Sequence, residues 1–156
     1  MAKAAPRRRA RKPALLVTLP SQTTFLALVR EITHRMAETA GFADGTPDQL
    51  ALAVDEATTN AIEHAYAGAP DREVLLQFED RGPDFKVEVI DTGAMVDPRS
   101  VPRVDLSRYV SERRKGGLGV HLMEKIMDSV TFRRTARRNV CLLVKHKEPG
   151  PEDGRS

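Results

Sequence analysis

The sequence predicts a single α/β (α+β) domain, a two-layer sandwich with helices packed on one face of a mixed, mostly antiparallel sheet. Three observations carry that prediction. Stretches whose apolar residues recur every three to four positions alternate with stretches whose apolar residues recur every second position, the two periods that separate helix from strand. The second kind comes in pairs joined by short polar turns, which is the pattern of hairpins. The 156 residues, 40% of them hydrophobic, supply one core and not comfortably two.

Taken in order, Ala14 to Leu19 is a short apolar run stopped by Pro20, as suits a first strand. Ser21 is placed to cap a helix whose apolar face is Phe25, Leu28, Val29, Ile32, Met36 and Ala40, with Gly41 ending it. A second helix starts with Thr46 as expected N-cap, Pro47 in the first turn and Gln49 placed to close a capping box; its core face is Leu50, Ala53, Val54, Ala57 and Ala61. Glu73 to Asp80 and Phe85 to Asp91 alternate around the turn Arg81-Gly82-Pro83-Asp84 and read as a hairpin. From Ala94 to Lys115 no period is sustained, and a connection of that length in a compact domain is usually functional. Gly116 to Gly119 open a third helix running to about Asp128, and Val130 to Arg133 and Val140 to His146 form a last pair of strands around the basic turn Arg134 to Asn139. The expected organisation is a basic tail over 1–13, the domain over 14–148 and a loose C-terminal tail over 149–156.

Composition excludes some classes of function. No run of eighteen apolar residues is present, and the arginines near the N-terminus are followed by no apolar stretch long enough for a signal-peptide core, so neither membrane insertion nor export is expected and the expected location is the cytoplasm. Cys141 is the only cysteine, which leaves no internal disulfide and no cysteine-based metal site. The formal net charge is +3, yet Arg7, Arg8, Arg9, Arg11 and Lys12 lie within the first twelve positions. No aromatic residue is interleaved among them to stack on bases, so a solvated tail is favoured over direct nucleic-acid binding.

Three clusters carry chemistry. Glu56 and Asn60 lie four residues apart and therefore on one helix face, with Glu63 and His64 a turn further. A carboxylate and an amide so placed suit the orientation of a nucleophile and oxygen ligation of a hard cation, although a solvated polar face has the same residues. Asp91-Thr92-Gly93 ends an apolar strand with an acceptor suited to an exocyclic amine, and on its own is also an ordinary turn. Lys115-Gly116-Gly117-Leu118-Gly119 opens a helix, where unobstructed backbone N–H groups and a lysine favour phosphate; its spacing matches neither the P-loop nor the dinucleotide fingerprint.

The order of these clusters is what resembles a known family. Glu56-Ala-Thr-Thr-Asn60-Ala-Ile-Glu-His64-Ala-Tyr66 resembles the N box of the GHKL ATP-binding superfamily, Asp91-Thr-Gly93 its first glycine box, and Gly117-Leu-Gly119-Val-His-Leu-Met-Glu-Lys-Ile-Met-Asp128 its second. Within that superfamily the chain is most similar to the anti-sigma-factor serine/threonine kinases, over roughly Leu15 to Lys147. The resemblance implies the GHKL (Bergerat) fold and, as cofactors, ATP and Mg²⁺. It implies Glu56 as general base, Asn60 as Mg²⁺ ligand, Asp91 as reader of adenine, and Gly93 as the glycine that lets the ring approach. Gly117 and Gly119, with Gly116, Leu118 and Val120 beside them, would meet phosphate under a lid formed by 94–116. Lys115 would lie near the terminal phosphate. Met95 stands where many relatives have another glycine and is placed to pack on adenine; Asn139 loosely matches a polar residue near the nucleotide. The partners implied are an anti-anti-sigma substrate of the STAS type and a sigma factor, with a homodimer as a further expectation. Two other readings are a nucleotide-dependent binding switch without phosphoryl transfer and the ATPase portion of a histidine sensor kinase. The second needs a histidine-bearing helix pair upstream, for which the thirteen residues before the first strand leave no room.

Overall fold

A computed structural model describes residues 15–95 and 118–149. The expected tails and most of the expected lid, with Lys115, Gly116 and Gly117, lie outside the described residues. The elements run β1 Leu15–Pro20, α1 Leu26–Thr39, α2 Thr46–Asn60, β2 Glu73–Arg81, β3 Asp84–Asp91, α3 Leu118–Ile126, β4 Ser129–Thr135 and β5 Arg138–His146. The five strands form one sheet in the order β1-β2-β3-β5-β4. Every pairing in it is antiparallel, so the mostly antiparallel sandwich foreseen from the sequence is antiparallel throughout these strands.

Strand alternation divides the sheet into two faces. Val74, Leu76 and Phe78 of β2, Phe85, Val87 and Val89 of β3, and Leu143 of β5 are buried against Val29 and Ala37 of α1, Leu50, Ala53, Val54 and Ala57 of α2, and Val120 and Met123 of α3. The opposite face carries Gln77, Glu79, Lys86 and Glu88, none of them buried. Phe42, just past α1, closes one end of the core edge-on to Phe85 at 5.7 Å between ring centres.

The caps differ in part from expectation. Ser21 does not cap α1: its Oγ donates to the carbonyl of Ala69 and accepts the N–H of Arg72, so it ties the start of the helical layer to the chain entering β2. A 3₁₀ turn over Thr23–Phe25 leads into α1 instead. Thr46 is the first residue of α2 and not its cap, which is Gly45 at φ 80 with no side-chain hydrogen bond. Gly41 does end α1 as expected. Its N–H meets the carbonyl of Glu38 and the N–H of Phe42 that of Ala37, the paired bonds of a Schellman close.

After Asn60 the helix widens into a π turn over Ala61–Ala65, with the N–H of Tyr66 bonded to the carbonyl of Ala61, five residues back. The face that was expected to continue from Asn60 to Glu63 and His64 is rotated by this change of pitch: Glu63 stays half-buried and His64 is exposed. Such a turn within a helix commonly marks a functional site. Here it delivers Ala65 and Tyr66 to the end of β3. The Tyr66 hydroxyl donates to the carbonyl of Glu73 at 2.6 Å and accepts the N–H of Thr92 at 2.9 Å. The N–H of Ala94 meets the carbonyl of Ala65 at 2.8 Å. Between these bonds the backbone of Gly93 lies so close to Ala65 that a Cβ at 93 would fall 2.2 Å from its carbonyl oxygen.

Two substitutions test this joint between α2 and β3. Gly93→Ala must push backbone against backbone, where no side chain can give way, and is expected to lower unfolding stability by roughly 1–3 kcal/mol or more. Tyr66→Phe removes the hydroxyl that joins the N–H of Thr92 to the carbonyl of Glu73 across part-buried bonds and is expected to lower it by about 1 kcal/mol. Urea unfolding followed by circular dichroism reads both; unchanged midpoints would show that the joint carries no load.

Candidate functional site

The site is assembled from α2, the end of β3, the start of α3 and β5. On α2, Ala53, Val54 and Ala57 are buried in the core, and Glu56 on another side of the helix faces the start of α3. The structure brings Glu56 directly against the second glycine cluster: a Cβ on Gly119 would stand 2.5 Å from Glu56 Oε2. A glycine at the start of α3 is therefore what leaves room for the carboxylate. Among the described residues Glu56 has no hydrogen-bond or cationic partner. Burial pushes its carboxyl above the ordinary glutamate value, and the charges of Asp55 and Glu63 push the same way. Asp55, turned toward α1, is buried as well, and Arg30 Nη1 meets its Oδ1 at 3.1 Å.

Asn60, one turn along α2, has a buried side-chain nitrogen with no hydrogen-bond partner among the described residues. An amide in that condition is normally destabilising, because the group loses water and gains nothing. It is accounted for if a ligand supplies the partner. The two ends of the amide interchange by rotation about its last torsion, so the same side chain can present either N–H to a phosphate or oxygen to a cation.

Asp91 closes β3 and is 8% exposed. Its Oδ1 accepts the N–H of Gly93 at 2.9 Å and Nδ2 of Asn139 at 2.7 Å. Both bonds fall on one oxygen, and among the described residues no donor meets Oδ2. Burial pushes this carboxyl up, and the bonds from Asn139 and Gly93, with the charge of Arg134, pull it partly back. Asn139 is here because the last hairpin is tighter than expected. The strands reach Thr135 and Arg138, so the turn is Ala136-Arg137 alone, and Asn139 pairs with Asp91 on one side and Arg134 on the other.

The remaining expected residues are placed less directly. Met95 follows the joint and is 58% exposed, free to meet a ligand and touching none of the core. Leu118 and Gly119 begin α3, while the Val120 side chain is buried in the core, so only its backbone is available to a ligand. Sequence reasoning gave no role to Tyr66 or Asp55. The signal for Tyr66 was a tyrosine at the end of the motif helix, an apolar body with one polar tip that needs a partner when buried. Asp55 carried no signal, since its partner Arg30 lies on another helix.

These features fit a magnesium nucleotide. An unpartnered buried amide, a buried carboxylate with one oxygen open, and a glycine-lined helix start facing an unpaired carboxylate are the donors and acceptors such a ligand requires. Among the described residues no group of three His, Cys, Asp or Glu side chains could hold a metal by itself. No described helix is long and apolar enough to cross a membrane.

Comparison with known proteins agrees with this geometry. Residues 19–145 match the histidine kinase-like ATPase domain. The chain is 30% identical over 120 residues to the serine-protein kinase RsbW of Listeria monocytogenes serovar 1/2a, covering 74% of this chain and 76% of that one. To the serine-protein kinase RsbW of Bacillus subtilis it is 34% identical over 120 residues, covering 72% of each. To that of Bacillus velezensis it is 34% identical over 132 residues, covering 80% of each. The fold is similar to the crystal structure of the RsbU and RsbW domains of a Mycobacterium tuberculosis protein, with a TM-score of 0.61 at 19% identity, over 88% of this chain and 33% of that one. With the match spanning every strand and helix that builds the site, the chain belongs to the histidine kinase-like ATPase domain family.

Proposed function

We propose that the protein is an ATP- and Mg²⁺-dependent protein serine/threonine kinase that acts as an anti-sigma factor, phosphorylating an anti-anti-sigma partner of the STAS type and sequestering a sigma factor. The observation that carries the reading is Glu56: a half-buried carboxylate with no cationic partner among the described residues, held against the glycine at the start of α3 and one turn from Asn60, whose amide nitrogen has no partner among them either. The serine-protein kinases to which the chain is similar support the reaction.

Each residue has a physical task. Asp91 Oδ2 accepts the exocyclic amine of adenine. Asn60 holds Mg²⁺, which when bound neutralises phosphate charge. The N–H groups at the start of α3 take phosphate oxygens. Glu56 accepts the proton of the substrate hydroxyl as its oxygen bonds to the γ-phosphorus and the bond from that phosphorus to the bridging oxygen breaks, leaving ADP. A carboxylate made more basic by burial is better suited to that proton than an exposed one. Because phosphoryl transfer depends chiefly on positioning and charge neutralisation, this small set suffices. A switch that only bound nucleotide would have no use for a carboxylate at 56 that the described residues leave without a counter-charge.

Three outcomes test the reading. With labelled ATP and the cognate antagonist, Glu56→Gln is expected to lower transfer by at least about a hundredfold while leaving ATP affinity within a few-fold, as befits loss of a general base; a variant as active as the native protein would overturn it. Ionised Glu56 is less favourable in the fold than in the open chain, so the stability linked to it is full below its unfolded value and lost as pH rises through its raised folded value. Glu56→Gln removes that penalty and is expected to raise Tm at neutral pH even as it stops the reaction. With ATP saturating, transfer should rise with pH along a limb displaced upward from the ordinary glutamate range, since only the ionised carboxylate accepts the proton; a flat profile through that range would count against Glu56 as the base.

A further inference from the structure

We infer that Asn139 is a specificity-determining positioning residue, which turns Asp91 into an obligate acceptor and so selects 6-aminopurine over 6-oxopurine nucleotides. The inference rests on the nucleotide reading above and goes beyond it by explaining the choice of purine.

The argument is one of counted donors and acceptors. Asn139 Nδ2 carries two hydrogens, and both have acceptors: Asp91 Oδ1 at 2.7 Å and the carbonyl of Gly93 at 3.1 Å. This fixes which end of the amide faces β3. Turned over, its oxygen would face a carboxylate oxygen and a carbonyl, three acceptors with no hydrogen between them. Its Oδ1 points instead toward Arg134, whose Nη1 stands 3.5 Å away, a long contact that supplies the right sign of charge. Asp91 Oδ1 also takes the N–H of Gly93, a backbone donor that cannot be reversed. Two fixed donors keep Oδ1 an acceptor and oppose the upward push of burial on the carboxyl; while the carboxyl is ionised, its second oxygen can only accept. An amine at purine C6 donates to it. A carbonyl at C6 meets it oxygen to oxygen, and the mismatch leaves two buried acceptors unpaired, which is the situation that discriminates most strongly between analogues.

The same geometry makes a reverse prediction. In Asp91→Asn the new amide must still present oxygen to Gly93 and Asn139, so its nitrogen is forced toward the purine and can donate to a C6 carbonyl. The preference should invert, and it should do so only while Asn139 remains.

The experiment is calorimetric titration of the full chain with MgATP and with MgITP, which differ at purine C6. The native protein is expected to prefer MgATP by at least about tenfold. Asn139→Leu should reduce that ratio by about tenfold, mostly by weakening MgATP. It should also move the acidic midpoint of MgATP binding to higher pH, because a bond that holds the Asp91 carboxyl down has been lost. Neither change follows from a merely structural role for Asn139. Asp91→Asn should favour MgITP, and the double variant should favour neither. If Asn139→Leu does not fold, Asp91→Asn decides alone: continued preference for MgATP overturns the inference. Native-like ratio and midpoint in Asn139→Leu also overturn it, and leave the kinase reading standing. A native protein that binds neither nucleotide sinks both.

Discussion

The site depends on one backbone contact, the approach of Gly93 to Ala65. It joins the end of the helix that bears Glu56 and Asn60 to the end of the strand that bears Asp91, at a distance only a glycine permits. Ala65 reaches that position because the helix widens into a π turn after Asn60, and Tyr66 then bridges Glu73 and Thr92 with a single hydroxyl. The carbonyl of Ala65 is thereby available to accept the N–H of Ala94. Glu56 and Asn60 on one side and Asp91 on the other are thus set relative to each other by short, satisfied hydrogen bonds. Rigid support of this kind is what lets a few side chains act at fixed separations.

Most of the architecture could be read from periodicity. Alternation in Glu73–Arg81 and Asp84–Asp91 located the central hairpin, and the four-residue recurrence from Leu50 to Ala61 located the core face of α2. What escaped the sequence was chemistry that depends on distant partners. Ser21 reads as a cap because serine is a common cap, yet its hydroxyl is taken by Ala69 and Arg72, some fifty residues away. Thr46 reads the same way, but Gly45 adopts the left-handed conformation and assumes the position. The π turn has no compositional signature, so the rotation of His64 away from Asn60 was not foreseeable from spacing.

The candidate site was legible as residue types in order, and its geometry was not. Glu56, Asn60, Asp91 and Gly119 were named from motifs, whereas the contact of Glu56 with the missing Cβ of Gly119 needs two helices placed in space. Asn139 shows the difference most clearly. As a residue of an expected loop it carried little weight; the strands proved two residues longer, and the register then set it opposite Asp91. A small error in hairpin length moved a residue from the periphery to the carboxylate.

Three carboxyls, those of Asp55, Glu56 and Asp91, are pushed up by burial, and each is answered differently. Asp55 has Arg30 as counter-charge, and Asp91 has two neutral donors on one oxygen. Glu56 has neither among the described residues, and it lies beside Asp55, whose charge makes its ionisation harder still. Structural carboxylates acquire partners, because an unpaired buried charge is among the most destabilising features a fold can retain. Among the described residues nothing offsets Glu56, so its ionised form is held at the expense of stability. A cation placed beside it would favour that form and lower its basicity, the property on which the proposed role as general base depends.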